Sequence, residues 1–410
     1  MANSFYTPTQ VAQEFVHLLE QELVLGGAVG VDLSDEFKMN GSTVYVRRQM
    51  QYLGQDNNID LTSYTEDVTE GTVAVSMNKT WSNKVSVGAL DRSLSFDRWS
   101  EQVILPMARR AAEKIETSIA ALYSKFYHFT GTPGTAPSTV LELAEAGAYM
   151  TDVGIPVGGR LGFHSPTTGA KIASAVAALN VQGRNKTALE KASLGMIGGF
   201  DNYTTAFIPT HTVGVATGTP LVNGASQSVT YATAKNTWSQ TLNTDGWTNS
   251  TTGILKAGDV FTIAGVNSVH PGTKASTGRL QTFTVLADAD SGATTGPAAL
   301  TISPPIIVSG AFQTVTAAPA DNAAITVKTG TGGTGYKQGL LLDPMAITLV
   351  SRPLDIPANA GLKTSTKRGN KVVVSVSEWV DGNTLAQNMR FDVLWGNEVL
   401  DPRRGLRQTS

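Results

Sequence analysis

Two runs of alternating side chains constrain this chain more than anything else in it. Thr43 to Tyr52 sets Val44, Val46, Met50 and Tyr52 on one face, and Thr72 to Ala89 alternates again through Val73, Val75, Met77, Val85 and Val87. A period of two predicts strands, here two long ones paired antiparallel. Between them Leu53 to Gly71 is polar, and its charged residues are all acidic: Asp56, Asp60, Glu66, Asp67 and Glu70. Long irregular connections of this kind are usually functional. An isolated two-stranded ribbon is marginal in water, because it fixes its whole backbone and buries little apolar area. The ribbon therefore needs a surface to lie on.

The rest of the chain is large enough to offer one. At 410 residues with 41% hydrophobic side chains it can fill more than one core, on a length prior of two or three domains. Charged residues make up only 16%, against about a quarter in ordinary globular chains. So neutral a surface suits a chain that buries much of it against partners. Net charge is -2, from 31 basic and 33 acidic residues, which argues against a dedicated nucleic-acid binder and leaves only weak, non-specific contact with DNA. Zero cysteines exclude disulfides, thiolate catalysis and cysteine-held metal centres. Met1 to Glu20 lacks the basic start and apolar core of a signal peptide, and no run of about 18 apolar residues occurs. The chain is expected in the cytoplasm, with no membrane partner.

Helical and strand periods alternate along the remainder. Residues 9–25 read as an amphipathic helix through Val11, Phe15, Leu18, Leu19 and Leu23, ended by Gly26 and Gly27. After Pro106, the spacing of Met107, Ala111, Ile115, Ile119, Leu122, Phe126 and Phe129 predicts one helix of roughly 35 Å. Two more helices are signalled, from Ser138 to about Met150 and after Ser165, an N-cap followed by Pro166. Strands near Leu161 and Phe163 make this part mixed α/β. From about Pro209 to Tyr336 the texture changes. No Glu occurs between Glu190 and Glu378, and short alternating segments (Asp259 to Ala264, Thr282 to Leu286, Leu300 to Ile302) predict a small barrel or sandwich. Strands return at Ala346 to Val350, Lys371 to Val376 and Met389 to Trp395, before a basic tail with Arg403, Arg404 and Arg407.

Motifs for chemistry are sparse. Asp56, Asn58, Asp60 and Asp67 hold positions of a calcium loop, but Leu61 replaces its turn glycine and no flanking helices are signalled. His17, His128, His164, His211 and His270 are scattered without metal-ligand spacing, and no nucleophile elbow or phosphate-binding glycine loop occurs. No catalytic residue, metal or cofactor is expected. Trp81, Trp99 and Trp395 read as core anchors, Trp238 and Trp247 as a core pair or an exposed contact. The three C-terminal arginines fit a solvated tail, an intersubunit ion pair or a contact to DNA.

This order of elements resembles the Hong Kong 97 capsid fold, in particular tailed-phage coat proteins of the P22 type that carry an inserted domain. The resemblance is carried by Gly199-Phe200-Asp201, by Lys256-Ala257-Gly258-Asp259-Val260-Phe261-Thr262-Ile263-Ala264-Gly265-Val266, by Ile347-Thr348-Leu349-Val350-Ser351-Arg352-Pro353, and by Leu394-Trp395-Gly396. It implies an α+β chain divided as an N-terminal arm (1–35), an extended loop (36–92), a peripheral domain with a spine helix (93–135), an axial domain (136–208), a β-barrel insertion (209–337) and returning strands with a tail (338–410). It also implies a coat subunit that assembles with itself into an icosahedral shell around double-stranded DNA. Such a subunit would have a scaffolding protein, a portal and a decoration protein as further partners.

Within that frame the extended loop of one copy is expected across the spine region of the next. Asp56, Asp60, Glu66, Asp67 and Glu70 would face Arg92, Arg98, Arg109, Arg110 and Lys114, and the face of Val73, Val75 and Met77 would cover apolar surface. The plainer alternative is a solvated loop. Other readings of the whole chain are an encapsulin-like shell for cargo enzymes, a β-rich carbohydrate-binding or adhesion protein, and an unrecognised hydrolase. Assembly itself needs only repeated contacts that are individually weak and strong in sum.

Overall fold

A computed structural model describes residues 7–28, 30, 41–55, 60–62, 64–87, 100–178, 195–356 and 362–410. The fold is α+β and divides into two compact units. The first holds the chain up to Tyr45, Ala74–Ala120 and Ile347–Glu398; the second holds Val46–Val73, Ala121–Ala346 and Val399–Ser410.

The first unit begins with α1 (Pro8–Glu22), whose N-cap Thr7 and Gln10 form a reciprocal capping box. Its stripe of Val11, Ala12, Phe15, Val16 and Leu19 is buried, and the Phe15 ring lies 5.1 Å from Phe391 and 6.1 Å from Trp81. A short helix α2 (Leu25–Ala28) follows. The other long helix, α3 (Leu105–Ala120), continues a π-helical turn, Ser100–Ile104, and buries Met107, Ala108, Ala111, Ala112, Ile115 and Ile119. Both helices belong with a five-stranded sheet of β3 (Lys79–Val87), β16 (Ile347–Arg352), β17 (Lys363–Arg368), β18 (Val373–Val380) and β19 (Gln387–Val399). Its hub is β19, which pairs β16, β18 and β3.

Two expectations are corrected here. The second alternating run is not one strand: it divides at Met77-Asn78 into β2 (Thr72–Ser76), which pairs β1 (Thr43–Arg47), and β3, which pairs β19 along nine positions from Lys79↔Trp395 to Val87↔Gln387. Alternation marks a strand but not its partner, and β19 offers the longer ladder. The predicted helix 107–129 also stops early. After Ala120 come a 3₁₀ turn, Ala121–Lys125, and then β4 (His128–Thr130). Residues 126–130, Phe-Tyr-His-Phe-Thr, favour a strand once a neighbour supplies hydrogen bonds, and β20 (Gly405–Thr409) does so in parallel.

The second unit contains a seven-stranded sheet ordered β4, β20, β15 (Gly335–Leu342), β5 (Leu161–His164), β7 (Phe200–Thr204) and β6 (Gly195–Ile197), with β8 (Thr210–Thr212) also on β15. Against it lie α4 (Val140–Asp152), capped by Thr139, and α5 (Pro166–Ala178), whose first turn is closed by Thr168 N–H on Ser165 Oγ. The segment between β8 and β15 forms a six-stranded sheet ordered β14 (Ile325–Val327), β11 (Val260–Val269), β12 (Ser276–Val285), β13 (Ala298–Ser303), β10 (Gln240–Trp247) and β9 (Gly218–Val222). A bridge between Leu221 and Ala324 brings its two edges together, so the sheet is a nearly closed barrel. Leu242, Phe261, Ile263, Phe283, Leu300 and Ile302 fill it.

The C-terminal tail is corrected as well. Residues 405–409 are β20, buried throughout between β15 and β4, so Arg407 is neither solvated nor available to DNA. Trp238 and Trp247 are both buried but in separate clusters, so they are not a pair. Trp395 is buried, Trp81 is half-buried, and Trp99 lies outside the described residues.

Candidate assembly surfaces

The ribbon of β1 and β2 is shorter than its sequence pattern suggested, and its root is held within the chain. Arg48 N–H donates to Gly71 O at 2.7 Å, and Arg47 Nη1 lies 3.1 Å from Glu70 Oε1. Thr72 N–H donates to Asn236 Oδ1, Arg404 Nη2 donates to Gln49 Oε1, and Met50 packs on the cluster of Trp238, Ile307 and Phe312. The surface that the ribbon needs is thus supplied in cis at its root. Elsewhere it is not. Tyr45 on β1 is 68% exposed, and in the connection Tyr52 is 57%, Leu61 54% and Val68 67% exposed, with Leu53 also exposed. These side chains form the free apolar surface of the ribbon and its connection.

That surface is for the most part not the one read from alternation. Val73 and Val75 are already buried inside this chain and Met77 is half-buried. Tyr52 was on the face read from alternation; Tyr45 was missed because it lies on the opposite face of β1, and Leu53, Leu61 and Val68 because they fall in the irregular connection, where no period singles them out.

The acidic loop is fastened to itself. Glu66 Oε1 accepts Tyr64 Oη–H at 2.7 Å and Leu53 N–H at 3.0 Å, and these bonds hold its carboxyl below the usual range. Asp60 accepts Thr62 N–H and its hydroxyl, with the same effect. Asp67 is described without such a bond, and Asp56 and Asn58 lie outside the described residues. Among the described residues no three His, Asp or Glu side chains are grouped to hold a metal ion.

On α3, Arg109 Nε lies 2.9 Å from Glu22 Oε1 and Arg110 Nη1 2.6 Å from Glu113 Oε2. Lys114 is exposed, and Arg92 and Arg98 lie outside the described residues. The two arginine pairs are exposed, so each contributes about 0–1 kcal/mol and can be exchanged for other partners at little cost.

The second unit also holds buried polar groups. Asp259 of the barrel accepts hydrogen bonds from His211 Nε2 (2.9 Å), Thr329 Oγ1 (2.7 Å), Gly214 N–H (2.9 Å) and Lys256 N–H (2.7 Å). Burial pushes its carboxyl up, but these bonds outweigh burial and hold it below the usual range. Arg407, fully buried, donates to Gln338 Oε1 and Gly258 O and lies 5.1 Å from the Tyr123 ring. Nearby, Arg403 makes a two-pronged pair with Asp401 and covers the Trp238 ring at 5.1 Å. Arg404 reaches Asp343 and Asp401. All three tail arginines are therefore committed inside the fold.

The described residues thus form a mixed α+β fold with a barrel insert and an exposed apolar connection between β1 and β2. Comparison with known proteins places the chain in a family. The family model described as "P22 coat protein - gene protein 5" matches residues 1–408. The major capsid protein of Acyrthosiphon pisum secondary endosymbiont phage 1 is 25% identical over 315 residues, 74% of each chain. Among solved structures, a chain from Mycobacterium phage Che8 is 9% identical and covers 94% of this chain and 90% of its own, with a TM-score of 0.46. The CUS-3 coat protein I-domain is 32% identical and covers 28% of this chain and 98% of its own, with a TM-score of 0.19.

The chain belongs to the P22 coat-protein family, a family of structural proteins, and is a phage major capsid protein. Its elements follow the order expected of the Hong Kong 97 capsid fold: arm, ribbon, long helix, α/β sheet, barrel, returning strands.

Proposed function

We propose that this chain forms rings of five and six copies that close into an icosahedral shell around double-stranded DNA. In this reading the shell is built in the host cytoplasm with a scaffolding protein and a portal, and a decoration protein can bind it later. The observation that carries the reading is the exposed apolar set Tyr45, Tyr52, Leu53, Leu61 and Val68 on a two-stranded ribbon and the connection between its strands. In the isolated chain these groups face water, and a neighbouring copy would cover them.

In this account α3 is the spine of a peripheral domain, the seven-stranded sheet belongs to an axial domain, and residues 209–337 are an insertion. The ribbon's loop lies across the spine region of the next copy. Buried apolar area contributes about 25 cal/mol per Å², against about 0–1 kcal/mol per exposed ion pair. Tyr52, Leu53, Leu61 and Val68 therefore supply most of the affinity. Asp60, Glu66, Asp67 and Glu70, facing Arg109, Arg110 and Lys114, set register and salt sensitivity. Negative-stain microscopy of the expressed chain with its scaffold tests this: closed shells support it, and a sample of single subunits at every salt concentration overturns it.

A further inference from the structure

Glu116 of α3 is completely buried, yet its carboxylate faces no cation among the described residues. Its two oxygens accept the N–H groups of Val24 (2.9 Å), Leu25 (3.0 Å) and Gly26 (2.9 Å), the point where the arm turns into α2. The surroundings are apolar: a side chain built at Gly26 would meet Leu23, Leu349 and Ile119 within 3.4 Å. Among the described residues Glu116 makes no ion pair, and most charged groups on the elements around it are bonded elsewhere or exposed. On the arm, Glu14 bonds Ser100, His17 bonds Gln21, Glu20 accepts Lys371 N–H and Glu22 pairs Arg109. On α3, Arg110 pairs Glu113 and Lys114 is exposed. On β3, Lys79 bonds Asn397 and Lys84 lies over Trp379; Glu101 is exposed and Arg352 ends β16.

A lone buried carboxylate is costly to ionise, and three amide bonds offset that cost only in part. We propose that docking of Val24–Gly26 onto α3 is coupled to proton uptake at Glu116. Burial raises the carboxyl of the docked form above the ordinary glutamate range, despite the three amides. Lifting the arm returns the group to water and to its ordinary affinity for protons. The docked form therefore binds the proton more tightly, so docking is strongest below the ordinary glutamate range and weakens as pH rises from there through the raised value. The arm is held by a proton-dependent catch on the spine helix.

The absence of cysteine allows a clean test. Nitroxide labels on Gln21→Cys and Lys114→Cys report the arm-to-helix distance in the unassembled chain between about pH 5 and about pH 8. With Glu116 present, the short-distance population should grow toward the acid end. In Glu116→Gln, which cannot ionise, the distribution should not move with pH. A wild-type distribution that is flat or shifts the other way overturns the coupling, as does an unchanged pH response in E116Q. Should E116Q fail to fold, carbon-13 NMR of the Glu116 carboxyl decides: titration above ordinary glutamate supports the proposal, and titration at or below it overturns it.

Discussion

His211 Nε2 lies 2.9 Å from Asp259 Oδ1, and both side chains are buried. The pair joins β8, where the chain enters the barrel, to the residue just before β11, and Thr329 and two backbone amides complete the carboxylate's shell. Replacing the acceptor should therefore loosen the barrel where the chain enters it. Asp259→Asn turns one accepting oxygen into a donor facing donors and should cost about 2–4 kcal/mol, measured as a lower urea midpoint of the purified chain.

His128 responds to pH in a different way. Burial drives its imidazole down to about 3, so it is neutral inside the fold while the unfolded chain protonates it near the ordinary value of 6.5. Its contribution is complete above that value and is lost as pH falls from there toward the folded value. Urea unfolding of the wild type should show stability dropping between about pH 7 and about pH 5, and His128→Gln should flatten that slope.

The C-terminus should be intolerant of deletion. Ending the chain at Arg404 removes β20, which pairs β15 over five positions and β4 over three, and leaves Gln338 and Gly258 O without Arg407. Limited proteolysis should find the truncated chain cut within residues 121–346, where the full chain resists. A true tail would be removed without effect.

On the ribbon, apolar and charged changes should separate. Leu53→Asp with Leu61→Asp should abolish shells while leaving the circular dichroism of the unassembled chain unchanged, because both side chains are already in water. Glu66→Lys with Asp67→Lys should instead slow assembly and change its salt dependence, read by light scattering across ionic strength.

Much of this architecture was legible because burial imposes a period. The stripe of Val11, Phe15 and Leu19, the run from Met107 to Ile119 and the barrel strands around Phe261 and Phe283 all announce themselves that way. What failed to show did so for physical reasons. Alternation in Thr72 to Ala89 could not reveal that two different partners divide it. Aromatic spacing at Phe126 and Phe129 satisfied a helical period as well as a strand. Strand β20 centres on an arginine and β17 is Lys-Thr-Ser-Thr-Lys-Arg, so neither carries an apolar signal. Glu116 escaped notice because a buried acid in a helix looks like any exposed one until its amide partners, 90 to 92 residues away, are known.

Cryo-electron microscopy of shells grown from the purified chain and its scaffold would show whether the apolar connection is an assembly contact. Closed particles should bury Tyr52, Leu53, Leu61 and Val68 of each copy against the next. Particles in which those four side chains remain in water, with subunits joined elsewhere, would contradict that role.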